Sequence, residues 1–218
     1  MLLAGVDEVG GGDCIAGPLV TAVVVFNLDA DIPEEIRCIG ESKRVLRRKG
    51  PKEIERLYNE IVKVAHEWRC GYATAREITV HQKTFRRGGM HESTVKALGR
   101  AIRALMCEPS SAAVDGGIAV PTHGLGYYLP QQIESHADER HWVVAAASIV
   151  ARYVRDSMME IYHIAKIPNV EAYEWDKNFG RSTPAHIAAI EKFGVTAHHR
   201  FRFKEVRTAH SKYVMSQQ

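Results

Sequence analysis

Leu19-Val20-Thr21-Ala22-Val23-Val24-Val25-Phe26 leaves the chain few choices. A segment this short, apolar and β-branched has no face to give to water, so it reads as a strand covered on both sides. With Pro18 at its start it forms the second of two early strands, Pro18–Phe26 after Leu2–Val9, and a glycine-rich turn joins them. Arg69–Ala75, Ser111–Asp115 and Gln131–His136 read as further strands.

Helices fill the gaps. Over Glu53–Trp68 the apolar residues Ile54, Leu57, Ile61, Val64 and Trp68 recur at steps of three and four. Glu92–Met106 repeats the pattern with Val95, Leu98, Ile102 and Leu105. Trp142–Ile164 opens with Val143-Val144-Ala145-Ala146-Ala147, small enough for close packing on a sheet. Pro184–Phe193 starts well, with Thr183 as N-cap and Pro184 in the first position. Early strands followed by strand–helix alternation define an α/β fold, a sheet with helices packed over it. Residues 1–170 are expected to form the main α/β domain, and residues 171–218 a helical, basic extension packed on it.

A chain of 218 residues with 45% hydrophobic content can bury a core without staples. Cys14, Cys38, Cys70 and Cys107 form no C-x-x-C pair, which excludes a zinc ribbon and fits a reducing, cytoplasmic setting. No apolar run reaches the length of a membrane span, and no signal peptide or membrane partner is expected. The net charge of +3 is small, but it is unevenly placed. Lys43 to Lys52 holds six cations and no acid; Lys192 to Lys212 holds six cations against Glu205. Such stretches suit a phosphate backbone or are plain solvated surface.

Four acids stand at similar places. Asp7 and Glu8 lie in an apolar strand just before Gly10-Gly11-Gly12, Asp115 ends a strand before Gly116-Gly117, and Asp138 lies between a strand and the long helix. Taken singly, Asp115 reads as a turn residue and Asp138 as a helix-start acid. The adjacent pair Asp7-Glu8 is harder to explain structurally, because strand interiors disfavour acids. Strand ends are where open α/β sheets place ligands. Like charges about 4 Å apart at an effective dielectric of about 20 cost roughly 4 kcal/mol, and a divalent cation reverses that sign.

These residues carry a resemblance. Gly5-Val6-Asp7-Glu8-Val9-Gly10-Gly11-Gly12 with Ala16-Gly17-Pro18-Leu19-Val20 resembles the opening signature of the type 2 ribonucleases H, ribonuclease HII and its relative ribonuclease HIII. Glu41-Ser42-Lys43 resembles the family's Asp-Ser-Lys element. Val114-Asp115-Gly116, then His136-Ala137-Asp138 ahead of Ala145-Ala146-Ala147-Ser148-Ile149-Val150-Ala151-Arg152, follow in the family's order. His199-Arg200-Phe201-Arg202-Phe203 closes the match near residue 206.

The resemblance implies a ribonuclease H-like mixed sheet flanked by helices. It implies an endoribonuclease that cuts the RNA strand of RNA–DNA hybrids, leaving 5′-phosphate and 3′-hydroxyl ends. Asp7, Glu8, Asp115 and Asp138 would be its catalytic acids, holding two Mg²⁺ or Mn²⁺ ions. Gly10, Gly11, Gly12, Ser42, Lys43 and Arg181 would contact the substrate. A monomer is expected, with a sliding-clamp partner left open. The chain departs from ribonuclease HII at two positions. Gly11 stands where that family has the arginine of Gly-Arg-Gly, and Arg181, in Lys177-Asn178-Phe179-Gly180-Arg181-Ser182-Thr183, stands at its tyrosine. Both help the family read a single DNA-embedded ribonucleotide. Gly10-Gly11-Gly12-Asp13 and Ala151-Arg152-Tyr153 are nearer ribonuclease HIII, whose extra N-terminal domain is not expected here. The alternatives are therefore a ribonuclease HIII-like hybrid nuclease with little single-ribonucleotide activity, or a non-catalytic nucleic-acid-binding module. His198-His199 lacks a Cys or acid at a helical step, so zinc is not expected there. His136 and His141 read as exposed helix-start residues.

Overall fold

The computed structural model describes residues 1–84, 89–165 and 167–218, which divide into two compact units. Met1–Val9, Val20–Tyr72 and Thr94–Val154 make the first; Gly10–Leu19, Ala73–Ser93 and Arg155–Gln218 make the second.

The first unit is built on a five-stranded sheet in the order β3-β2-β1-β4-β5. The strands are β1 (Leu2–Val9), β2 (Leu19–Asn27), β3 (Glu67–Ala73), β4 (Ser111–Asp115) and β5 (Gln131–Glu134). β1 pairs antiparallel with β2, Val6 facing Val23, whereas β1, β4 and β5 run parallel. The apolar run does what its composition demands. Ala22, Val24 and Phe26 enter one buried cluster and Val23 and Val25 the other, so both faces of β2 are dry.

The helices are α1 (Glu34–Arg37), α2 (Ser42–Lys49), α3 (Pro51–Val64), α4 (Ala75–Thr84), α5 (Gly89–Arg103), α6 (Trp142–Ile164), α7 (Trp175–Asn178), α8 (Pro184–Phe193) and α9 (Lys204–Ser216). Ile54, Leu57 and Ile61 of α3 join Val143, Val144, Ala147 and Val150 of α6 in one cluster; Leu98 and Ile102 of α5 join the other. The start of α6 lies very close to β1. A Cβ on Gly5 would sit 1.9 Å from the Val143 carbonyl oxygen, so only glycine permits this approach.

The second unit has its own core of Ile15, Met159, Tyr173, Trp175, Phe179, Ile190 and Val206. Thr183 caps α8, its hydroxyl accepting the His186 amide at 3.2 Å, as the sequence predicts.

Some boundaries differ from expectation. The helix expected over Glu53–Trp68 ends at Val64, and Trp68 lies on β3. Ala65 turns extended, and Trp68 returns to the same core to meet Tyr58 edge-on at 5.8 Å. A tryptophan in phase with a helix can thus reach the core from the next strand. α2 and α4 were not signalled by apolar periodicity, since α2 is mostly cationic and α4 rich in β-branched and polar residues. All four cysteines are free. Among the described residues, no helix is long and apolar enough to cross a membrane.

Candidate active site

The register of the parallel strands brings the acids together. Val6 faces Val114, so the next residues, Asp7 and Asp115, lie on adjacent strands, Asp115 at the last position of β4 and Asp7 two residues before the end of β1. Asp115 in turn pairs with Glu134 at the end of β5. The chain then bends at His136, whose φ of 58° is left-handed, into a 3₁₀ turn over Ala137–Glu139 that carries Asp138. Asp115 Oδ1 accepts the Ala137 amide at 2.7 Å, which fixes that turn beside β4.

Asp7 is almost fully buried (5% exposed). One oxygen accepts the Glu8 amide at 2.7 Å, and Ser148 of α6 favours the ionised carboxylate. Ser148 lies 2.7 Å from the Ser42 hydroxyl at the start of α2. Ser42 thus holds Ser148, and Ser148 in turn acts on the Asp7 carboxyl.

The four acids act on one another. Burial, followed by the charge of Glu8, pushes the Asp7 carboxyl well above the usual carboxylate range, and Asp115 and Asp138 add to this. Burial and then Asp115 raise Glu8, with Lys43 opposing. Burial, then Asp115, Glu41 and Glu139, raise Asp138 to about 6. Holding several anions against their own repulsion is costly without a cation, and Lys43 is a single opposing charge. The donors are all oxygen, the set hard divalent cations prefer, so these residues fit Mg²⁺ or Mn²⁺. Among the described residues, no three His, Cys, Asp or Glu side chains stand as a finished ion cage. The match lies in donor chemistry and charge.

Of the other residues singled out from the sequence, Ser42 and Lys43 lie in the first unit with the acids. Ser42 is buried and spends its hydroxyl on Ser148; Lys43 acts electrostatically on Glu8 and Asp138. Gly10, Gly11, Gly12 and Arg181 belong to the second unit. There Cys14 bridges to Arg181, and the Arg181 guanidinium lies 3.7 Å from Asp13. His136 and His141 approach Glu139 and Glu134, each at 3.5 Å.

Arg200 corrects an expectation. In a basic tail it reads as a phosphate contact, yet it is fully buried, and its guanidinium binds four backbone carbonyls of the glycine turn. Neither that role nor Ser148's has a sequence signal. The acceptors of Arg200 are main-chain atoms, and Ser148 looks like one more small residue in an alanine-rich helix.

The mixed sheet, with acids gathered on and beside its neighbouring strands, has the ribonuclease H-like fold. The comparisons are specific within that fold. The family model for Ribonuclease HII matches residues 4–206. A Ribonuclease HII of Ehrlichia canis (strain Jake) is 34% identical over 204 residues, covering 93% of this chain and 85% of the relative. One from Pelotomaculum thermopropionicum is 31% identical over 210 residues, covering 96% and 70%. The chain belongs to the ribonuclease HII family. Its fold is similar to that of ribonuclease H2 from Pyrococcus horikoshii, with a TM-score of 0.77 at 23% identity over 98% of this chain and 99% of that one. A PCNA:RNase HII complex from Archaeoglobus fulgidus gives 0.62 at 21% identity, covering 94% and 96%.

Proposed function

We propose that the chain cuts the RNA strand of RNA–DNA hybrids with two divalent ions, Mg²⁺ or Mn²⁺, leaving 5′-phosphate and 3′-hydroxyl ends. The observation that carries this reading is the gathering of four acids: Asp7 and Glu8 on β1, Asp115 at the end of the neighbouring β4, and Asp138 on the turn that Asp115 anchors, close enough for their charges to act on one another. Bound ions of this kind supply an activated water and neutralise charge at the leaving oxygen.

The chain's own residues do the rest. Asp7, Glu8, Asp115 and Asp138 hold the cationic charge. Ser148 orients the Asp7 carboxylate, and Ser42 orients Ser148. Lys43 offers an ammonium to a phosphate without reading sequence. Gly10, Gly11 and Gly12 let the backbone approach the minor groove, where 2′-hydroxyls are displayed, and Arg181 takes a phosphate. No side chain is placed as a nucleophile.

Gly11 and Arg181 favour a second, narrower reading, in which continuous hybrid is cut much better than a single embedded ribonucleotide. Recognition then rests on hybrid shape and consecutive 2′-hydroxyls. A sliding clamp is a partner class that the likeness to the Archaeoglobus fulgidus complex supports.

The test compares kcat/KM on a continuous hybrid and on a duplex with one ribonucleotide, under one salt and one metal. Cleavage of the hybrid supports the main reading, and a ratio well above one supports the narrower one. A ratio near one or below it contradicts the narrower reading. Inactivity on both substrates contradicts both.

A further inference from the structure

Arg200 is a fully buried cation that makes four hydrogen bonds to the main chain. Its Nε donates to the Gly17 carbonyl at 3.0 Å and its Nη2 to Gly10 at 2.7 Å. Its Nη1 donates to Gly11 at 2.8 Å and Cys14 at 2.9 Å. A buried charge is tolerated only when well hydrogen-bonded, and the five donors of a guanidinium's planar fork can serve these four spread carbonyls, whereas an ammonium has three donors on one atom.

This has a consequence for the turn. In a trans peptide the carbonyl and the following N–H point in opposite directions, and the described chain has no cis bonds. With the Gly10 and Gly11 carbonyls drawn onto Arg200, the Gly11 and Gly12 amides face away from it. Nothing lies within 4 Å of where a Cβ would stand at either glycine, so the backbone at both is open to close approach. Successive outward amides form a concavity suited to an anion or a hydroxyl oxygen.

His199, the preceding residue, fixes the neighbouring segment. Its Nδ1 accepts the Thr196 amide at 2.9 Å, so its proton sits on Nε2, 3.1 Å from His186 Nε2. His186 Nδ1 lies 2.9 Å from the Arg181 carbonyl, which can only accept, so His186 carries its proton on Nδ1. Each ring therefore has one workable tautomer, and the chain of bonds runs from Thr196 through both rings to Arg181. The two segments are also tied to each other. The Ile15 and Ala16 amides donate to Gly180 at 2.8 and 3.1 Å, and the Ser182 amide to Asp13 at 3.1 Å.

We infer that His199 and Arg200 are positioning residues for hybrid recognition: Arg200 aims the Gly11 and Gly12 amides outward, and His199, through His186, holds Arg181 beside them. The inference rests on the reading of this turn as a substrate contact. Neither residue touches the substrate; each acts through backbone that does.

The test measures hybrid affinity in Ca²⁺, and KM and kcat in Mg²⁺, for Arg200→Lys and His199→Phe. A lysine reaches fewer carbonyls, so Arg200→Lys is expected to raise Kd and KM about 10-fold while kcat stays within about threefold. His199→Phe keeps ring volume but not the hydrogen bonds, and is expected to raise Kd about fivefold. A merely structural role predicts something else: a lower Tm and a smaller active fraction, with Kd of the folded protein unchanged. That result overturns the inference. On the wild-type protein, amide NMR must show Gly11 and Gly12 shifting on addition of hybrid, and amides that stay still overturn it even where a variant does not fold. Wild-type protein that binds no hybrid removes the functional reading and the inference together. Wild-type binding with unchanged variants removes the inference alone.

Discussion

Asp115 Oδ1 accepts the backbone amide of Ala137 at 2.7 Å. One acid of the site thereby anchors the turn that presents another, Asp138. This gives Asp115 two separable duties, as a charge and as a hydrogen-bond acceptor.

Asp115→Asn keeps an acceptor oxygen but loses the charge. Its Tm is expected to stay near wild type, while kcat on hybrid falls by ~10³-fold, about 4 kcal/mol of barrier. Asp115→Ala loses both, leaving the buried-edge amide without its partner, and is expected to melt lower by about 1–3 kcal/mol of stability. Thermal melts beside steady-state rates check this. Equal melting of the two variants would contradict the anchoring role.

The acids also make the metal-free protein less stable than it need be. Burial and the neighbouring charges disfavour the ionised Asp7 carboxylate. Asp7→Asn removes that charge and is expected to raise Tm in EDTA by several degrees, the size of effect about 1–2 kcal/mol gives. Mg²⁺ or Mn²⁺ should raise the wild-type Tm and shift the variant much less, by linkage to binding. A lower Tm for the variant in EDTA, with an unchanged metal response, would contradict the picture of mutual repulsion.

Acid stability is set in the second unit. Burial holds His186 down at about 4, and burial followed by the charge of His186 holds His199 at about 3. Both rings are depressed below the ordinary imidazole value, so folding favours their neutral forms. The contribution is present in full above about pH 6.5 and is lost as pH falls toward 4. For His186 the loss is on the order of 3 kcal/mol. Asp7, Glu8 and Asp138 work in the opposite sense, since their raised values mean protonation relieves repulsion as pH falls. His199→Phe should therefore lose less Tm than wild type between pH 7 and 5. An identical fall in both proteins would show that the histidine pair does not govern acid stability.

How much of this is legible in the sequence depends on which atoms carry the information. Leu2–Val9, Ser111–Asp115 and Trp142–Ile164 have the expected bounds, because side-chain apolarity and small-residue packing define them. The α/β class follows from the same signals, whereas the mixed sheet is what the resemblance implies. Trp68 misled because its apolar character fits a helix phase and a strand equally well. α2 was hidden because Ser42–Lys49 shows the core little apolar surface. The acids could be named from the resemblance, but their coupling could not, since it depends on the register of Val6 against Val114. Arg200 was misread for a deeper reason. Backbone carbonyls leave no mark in a sequence, so a buried arginine serving four of them looks like a surface cation in a basic tail.

The central claim is that Asp7, Glu8, Asp115 and Asp138 make this chain a metal-dependent nuclease of the hybrid's RNA strand. The most direct measurement follows an end-labelled RNA strand, paired with DNA, through single-turnover cleavage by wild type and Asp7→Asn, in Mg²⁺, in Mn²⁺ and in EDTA. The account predicts wild-type cleavage in at least one of the metals, with 5′-phosphate and 3′-hydroxyl ends. It predicts no cleavage in EDTA and a rate at least ~10³-fold lower for folded Asp7→Asn. Undiminished cleavage in EDTA, or near-normal turnover by folded Asp7→Asn, would contradict it.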